Sequence, residues 1–221
     1  MFLRKVTLIL IITIIVSFSI RTFGTLFPQI FKKNILIVKA TILINSIFIL
    51  SHLIFWILFY REYISKKKPS LKTICIFVII SSFSVSAIYL KKLPFVFGLN
   101  THIPLFLLNP YFDALVPLIS SAIHLVFFVS FKRSLKIDEF PSLSRPILSI
   151  IVGNGIFICL HLIVLLNFIS RDRFEWLEHM PRVIAVSTVP IIILAVCFML
   201  YFYYQFYCYL NSSRNIEKSS T

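Results

Sequence analysis

Charge is the first thing this sequence lacks. Only 14% of its 221 residues are charged, where a soluble domain carries about a quarter. Acids are rarer still, with Asp and Glu together numbering 8 against 22 Lys and Arg. Glycine is scarce, at 4 residues, which weighs against the tightly packed, moving helix interfaces of many transporters. No GxSxG elbow, HExxH pair or Walker loop is present, so the common hydrolase, zinc-protease and nucleotide-binding signatures are absent. The four cysteines, Cys75, Cys159, Cys197 and Cys208, all fall in apolar runs and never in a CxxC pair. Neither a disulfide framework nor a zinc knuckle is indicated; they read as small buried apolar residues. No cofactor and no metal is expected.

What the sequence has instead is hydrocarbon. Apolar residues make up 59% of the chain, and the mean hydropathy is +0.96. The charges cluster in short gaps between apolar runs about 20 residues long, the length an α-helix needs to cross roughly 30 Å of hydrocarbon. The short alternating segments of a transmembrane β-barrel are missing. The expected fold class is therefore all-α, a polytopic transmembrane helix bundle forming one integral-membrane domain over residues 1–221. Six spans are expected at roughly 6–27, 35–60, 73–90, 105–131, 147–169 and 183–210, followed by a short polar tail, 211–221. The first run, after Arg4 and Lys5, also resembles a signal peptide, and its cleavage would leave five spans. Ser17 and Ser19 make a poor cleavage site and Thr25-Leu26-Phe27 extends the apolar character, so a retained helix is expected.

The net charge of +14 would point to nucleic acid in a soluble protein. Here the basic residues flank spans, where they anchor helix ends and attract anionic headgroups, so nucleic-acid binding is not expected. The partner is the lipid bilayer, with other membrane proteins as a second class. Basic residues in short loops set orientation. One side holds thirteen: Arg4, Lys5, Arg61, Lys66, Lys67, Lys68, Lys72, Lys132, Arg133, Lys136, Arg145, Arg214 and Lys218. The other holds eight: Arg21, Lys32, Lys33, Lys91, Lys92, Arg171, Arg173 and Arg182. Both termini are thus expected in the cytoplasm, in the endoplasmic reticulum or another endomembrane. Trp56, Tyr60 and the tyrosines at 201, 203, 204, 207 and 209 then fall at the cytoplasmic ends of spans two and six, as in an interfacial aromatic belt.

Ionisable residues inside spans are costly and are functional candidates by default. Here they are Arg21, Lys39, His52, Asp113, His124 and His161. Given alternating span directions and a rise of about 1.5 Å per residue, Asp113 lies roughly 12 Å in from the outer face, and Lys39, Arg21 and His161 also lie in the outer half. His52 and His124 come near the inner ends. The polar residues therefore sort into an outer and an inner layer. Asp113 is expected to be ionised and paired with Lys39, with Arg21 the second choice, since a lone carboxylate in lipid costs several kcal/mol. Asn109 and Ser120 fall along the same side of that span. The outer loop SRDRFEWLEHMPR supplies Asp172, Glu175, Glu178 and His179; it reads as a helix lying flat at the membrane surface, since a metal site needs more ligands than its Glu175/His179 pair offers. The GNG run at 153–155 reads as a close-packing or flexible point, and the sequon at Asn211 as unused.

Three function classes follow: a non-catalytic membrane component (assembly factor, lipid binder or complex subunit), a small-solute transporter or channel, and an intramembrane lipid-modifying enzyme. The first is expected, and catalysis is not. Length and span number are shared by many endomembrane proteins of lipid and GPI metabolism, and no motif ties this sequence to any one of them. The topology is open to direct measurement: a tag on either terminus should be digested by protease added to sealed microsomes, and a protected C-terminal tag would overturn the six-span orientation.

Overall fold

The computed structural model describes residues 2–27, 29, 34–65, 67, 69–91, 93–98, 110–134, 143–171 and 180–219, without the side chains of 95, 110, 112, 113, 167–171, 180–187 and 213–219. Six long helices carry the chain: α1 Phe2–Leu26, α2 Ile35–Phe59, α3 Pro69–Leu90, α4 Pro110–Ser134, α5 Ser144–Arg171 and α6 Met180–Ser219. Each contains a stretch long and apolar enough to cross a membrane. There is no strand among the described residues. The protein is a multi-pass, all-α membrane protein.

Local chemistry sets several helix boundaries. Asn34 caps α2, its side chain accepting from the backbone N–H groups of Leu36 and Ile37 at 3.1 and 3.3 Å, a contribution of about 1 kcal/mol. Pro69 and Pro110 open α3 and α4, where a missing N–H costs nothing. A π-helical turn, Tyr60–Ile64, widens the end of α2 and turns Ile64 fully inward. A one-turn helix, Leu93–Val96, follows α3.

The helices form a closed ring. Each packs on its neighbours in sequence, and α6 packs back on α1. The end where α1 begins is here called proximal and the end where it finishes distal. Polar links tie four of the six seams. Ser17 of α1 donates to Asn45 of α2. Ser120 of α4 donates to Ser81 of α3 at 3.3 Å. Ser149 of α5 donates to the Phe198 carbonyl of α6 at 3.1 Å. Arg4 donates to Asn211 at 2.7 Å, joining the first and last helices at the proximal end. The outer surface is apolar, with Leu8, Ile12, Ile57, Phe77, Val126 and Leu194 among its exposed residues. Among the described residues one ion pair appears, Arg61–Glu62 at 3.5 Å, within the π-turn.

The proximal half of the ring is filled by rings of another kind. Phe55, Trp56 and Phe59 of α2 meet Phe127, Phe128 and Phe131 of α4 and Phe202, Tyr203 and Phe206 of α6, with most centroids 5.0–6.1 Å apart and many pairs edge-on. Such pairs add about 0.5–1.5 kcal/mol each beyond their area. This corrects the interfacial-belt reading in part. Trp56 is 0% exposed and Tyr203 1%, because the inward faces of α2 and α6 carry them at helical spacing with Phe59 and Phe206. Tyr201 and Tyr204 do face outward.

Gly153 marks a close approach of α5 to α6: a Cβ there would lie 3.2 Å from the Ala195 carbonyl and 3.3 Å from Phe198, while one at Gly155 would meet nothing within 4 Å. The close-packing reading of the GNG run thus belongs to Gly153. Gly153→Leu should destabilise the protein by about 1–3 kcal/mol through overpacking. Gly155→Ala should gain up to about 1 kcal/mol of helix propensity. Thermal unfolding in detergent separates the two.

Candidate functional site

Above the aromatic layer the ring is hollow. A cavity of about 680 Å³ occupies its distal half, within the range of about 300–1,000 Å³ common for ligand sites. All six helices contribute to its wall. Phe128 and Tyr203 belong both to the aromatic core and to the cavity lining and so form its floor. The lining reaches Gly24 and Thr25 in the last turn of α1 and Tyr89 in the last turn of α3.

Arg21 is the one charged residue in that lining among the described side chains. Its Nε donates to Asn45 Oδ1 at 3.1 Å, and the guanidinium lies 5.5 Å from the centre of the Tyr89 ring, a cation–π arrangement. Asn45 accepts from Ser17 with the same oxygen, so the amide is oriented toward α1. No carboxylate among the described residues pairs with Arg21.

The three intramembrane histidines line the same cavity. His52 and His124 stack, with centroids 5.3 Å apart and planes at 25°. Trp56 sits edge-on to both and donates its indole N–H to His52 Nε2 at 3.1 Å. That nitrogen is therefore an acceptor, and the neutral His52 ring carries its proton on Nδ1. His124 and His161 each present Nδ1 to a backbone carbonyl one turn back, Ser120 and Phe157, both at 2.7 Å, which puts their ring protons on Nδ1. Ser120 Oγ also lies 3.4 Å from His124 Nδ1. With that proton already given to the carbonyl, the ring cannot accept from the hydroxyl at Nδ1, so the pair is not a nucleophile with its base. His124 Nε2 and Ser82 Oγ are buried with no hydrogen-bond partner.

The structure thus joins what depth had separated. Arg21, His161, His52 and His124 face one cavity that runs from the outer layer to the inner one. Ser120 is on its wall. Lys39 lies half-buried on α2 and is not among the lining residues. Asp113 lies on the first turn of α4, its side chain outside the described residues. Asn109, Asp172, Glu175, Glu178 and His179 also fall outside the described residues. Sequence reasoning missed Asn45 and Asn154. Asn154 is buried in the wall and donates to the Ile150 carbonyl at 2.9 Å. Their signal was available: an amide in a span is nearly as anomalous as a charge. Among the described residues no group of three His, Cys, Asp or Glu could hold a metal ion.

No family model, curated protein or solved structure matches this chain. The functional argument therefore rests on the cavity itself. Chemically, it can receive an apolar body, hold a negative or strongly accepting group at Arg21, and offer histidine and serine hydrogen-bonding groups deeper in.

The unpartnered His124 nitrogen makes a stability prediction. An unsatisfied buried acceptor costs about 1–3 kcal/mol. His124→Phe keeps the ring stack and removes that cost, so the ligand-free protein should melt about 2–4 °C higher per kcal/mol recovered. His52→Ala should melt lower, because the buried Trp56 N–H loses its acceptor. Differential scanning fluorimetry in one detergent reads both.

Proposed function

We propose that this protein is a non-catalytic component of an endomembrane that binds a lipid-like amphipath inside its helix ring. The observation that carries the reading is the cavity: about 680 Å³, walled by all six helices, largely apolar, with a single cation, Arg21, among the described side chains of its lining. Pockets of that size and character are built for ligands, and a hydrocarbon-lined void left empty forfeits packing energy on every side. The endoplasmic reticulum is proposed as the compartment from chain length and span number. The basic excess at the proximal end supports cytoplasmic termini, which turns the cavity toward the lumenal side.

Transport is the second reading, and one observation favours it. Pro117 and Pro190 interrupt α4 and α6 within the distal half, Pro117 itself lining the cavity. Each removes a backbone hydrogen bond, a common place for a helix to bend. Against an open channel stands the aromatic floor, whose packed rings block the axis.

Native mass spectrometry of the protein purified from its own membranes tests the binding reading. The wild type should carry an adduct of lipid mass. Ser121→Phe, which projects a ring into the cavity from α4, should carry less than a tenth as much while eluting at the same volume. A filled variant that retains the adduct would sink the proposal.

A further inference from the structure

The two ends of the cavity differ in chemistry, and its size limits what can lie between them. Resting on the binding reading above, we propose that the occupant is a single-chain anionic amphipath, its carboxylate or phosphate head on Arg21 and its chain running down to the aromatic floor.

The head follows from how Arg21 is held. A guanidinium has five N–H donors in a rigid fork suited to a carboxylate or phosphate. Here Nε donates to Asn45, and Cζ lies over the Tyr89 ring, 5.5 Å from its centroid. No described carboxylate pairs with the remaining donors, and among the described side chains no Asp or Glu stands in the cavity wall. An unpaired cation in a membrane bundle is expensive, whereas a bound anion would make charge-assisted, bidentate hydrogen bonds with it. Arg21 lies five residues before the end of α1, roughly 8 Å by helix rise, so a head held there stays near the interface.

Chain number follows from volume. At about 30 Å³ for each water-sized unit, 680 Å³ holds on the order of twenty non-hydrogen atoms. One acyl or isoprenoid chain with a small head fills that space; a diacyl lipid, with about twice the chain atoms, would leave a chain outside it. Chain direction follows from shape. On α1 the lining runs from Ile14 to Thr25, about 16 Å by helix rise, close to one leaflet's share of a hydrocarbon core about 30 Å thick. Phe18, Phe48, Ile49 and Val85 give the shaft an apolar surface, and Met199 beside the floor is the side chain best able to adapt to a chain end.

The test uses the full chain, delipidated in mild detergent, with four probes: palmitate, palmitoyl lysophosphatidate, hexadecanol and dipalmitoyl phosphatidate. Wild-type protein should bind one or both anionic single chains at least tenfold more tightly than hexadecanol, and whichever binds better identifies the head as carboxylate or phosphate. Arg21→Gln should bring that affinity down to the level of hexadecanol. Arg21→Lys should restore part of it, and Ser121→Phe should abolish all binding. Hexadecanol binding as well as palmitate, and still lost in Ser121→Phe, would overturn the anionic head and leave the cavity reading standing. Preference for the diacyl probe would overturn the single chain. No probe displaced by Ser121→Phe would overturn both readings. Should Arg21→Gln fail to fold, the wild-type ratio of palmitate to hexadecanol decides alone.

Discussion

Hydrocarbon neither donates nor accepts a hydrogen bond, and the structure follows from that. Every backbone group must be satisfied within its own segment, which selects the helix. The same rule governs the side chains. Thr7, Thr13, Thr41, Ser46 and Ser51 return their hydroxyls to carbonyls on the preceding turn, so these polar residues sit in apolar helices at little cost. Groups that cannot be satisfied locally are used between helices. Asn45 serves α1 twice with one oxygen, taking Ser17 and Arg21. Contacts of this kind are worth about 0.6–2 kcal/mol each in a membrane, and close packing in the aromatic half adds dispersion beyond what loosely packed lipid tails supply.

The ring divides its interior unequally. Proximally, α2, α4 and α6 fill the axis with rings that touch on several sides. Distally, several inward positions are small and polar: Ser17, Thr22, Thr41, Ser82 and Ser121. A ring of six helices cannot close over a filled core along its whole length with such side chains. The void is therefore written in residue size, and its polarity in residue type. Where the two halves meet, Trp56, His52 and His124 form a junction in which aromatic stacking and hydrogen bonding share the same rings.

How much of this was legible in the sequence depends on what kind of signal each feature leaves. The six helices were, since length and apolarity are local; their ends moved by several residues where Pro69, Pro110 and the π-turn set them. That His52, His124, His161 and Arg21 are anomalous within spans was legible from cost alone. Their convergence was not, because depth along a span says nothing of which face a residue takes. Trp56 was misassigned for the same reason: its height suited an interface, but its azimuth pointed it at Phe127. Asn45 and Asn154 went unread because only ionisable residues had been treated as expensive.

The hydrogen bond from Arg4 to Asn211 joins residues nearly the whole chain apart, and it closes the ring. Translation at about 5–20 residues per second puts on the order of ten seconds or more between the emergence of α1 and that of α6. For that interval α1 lacks one of its two neighbours, and Ser17 and Arg21 have Asn45 but no opposite wall. The cavity does not exist until the last helix arrives. Its birth is the final event of assembly, so a chain cut short before α6 is no smaller version of the protein but an open sheet of helices with nothing to enclose.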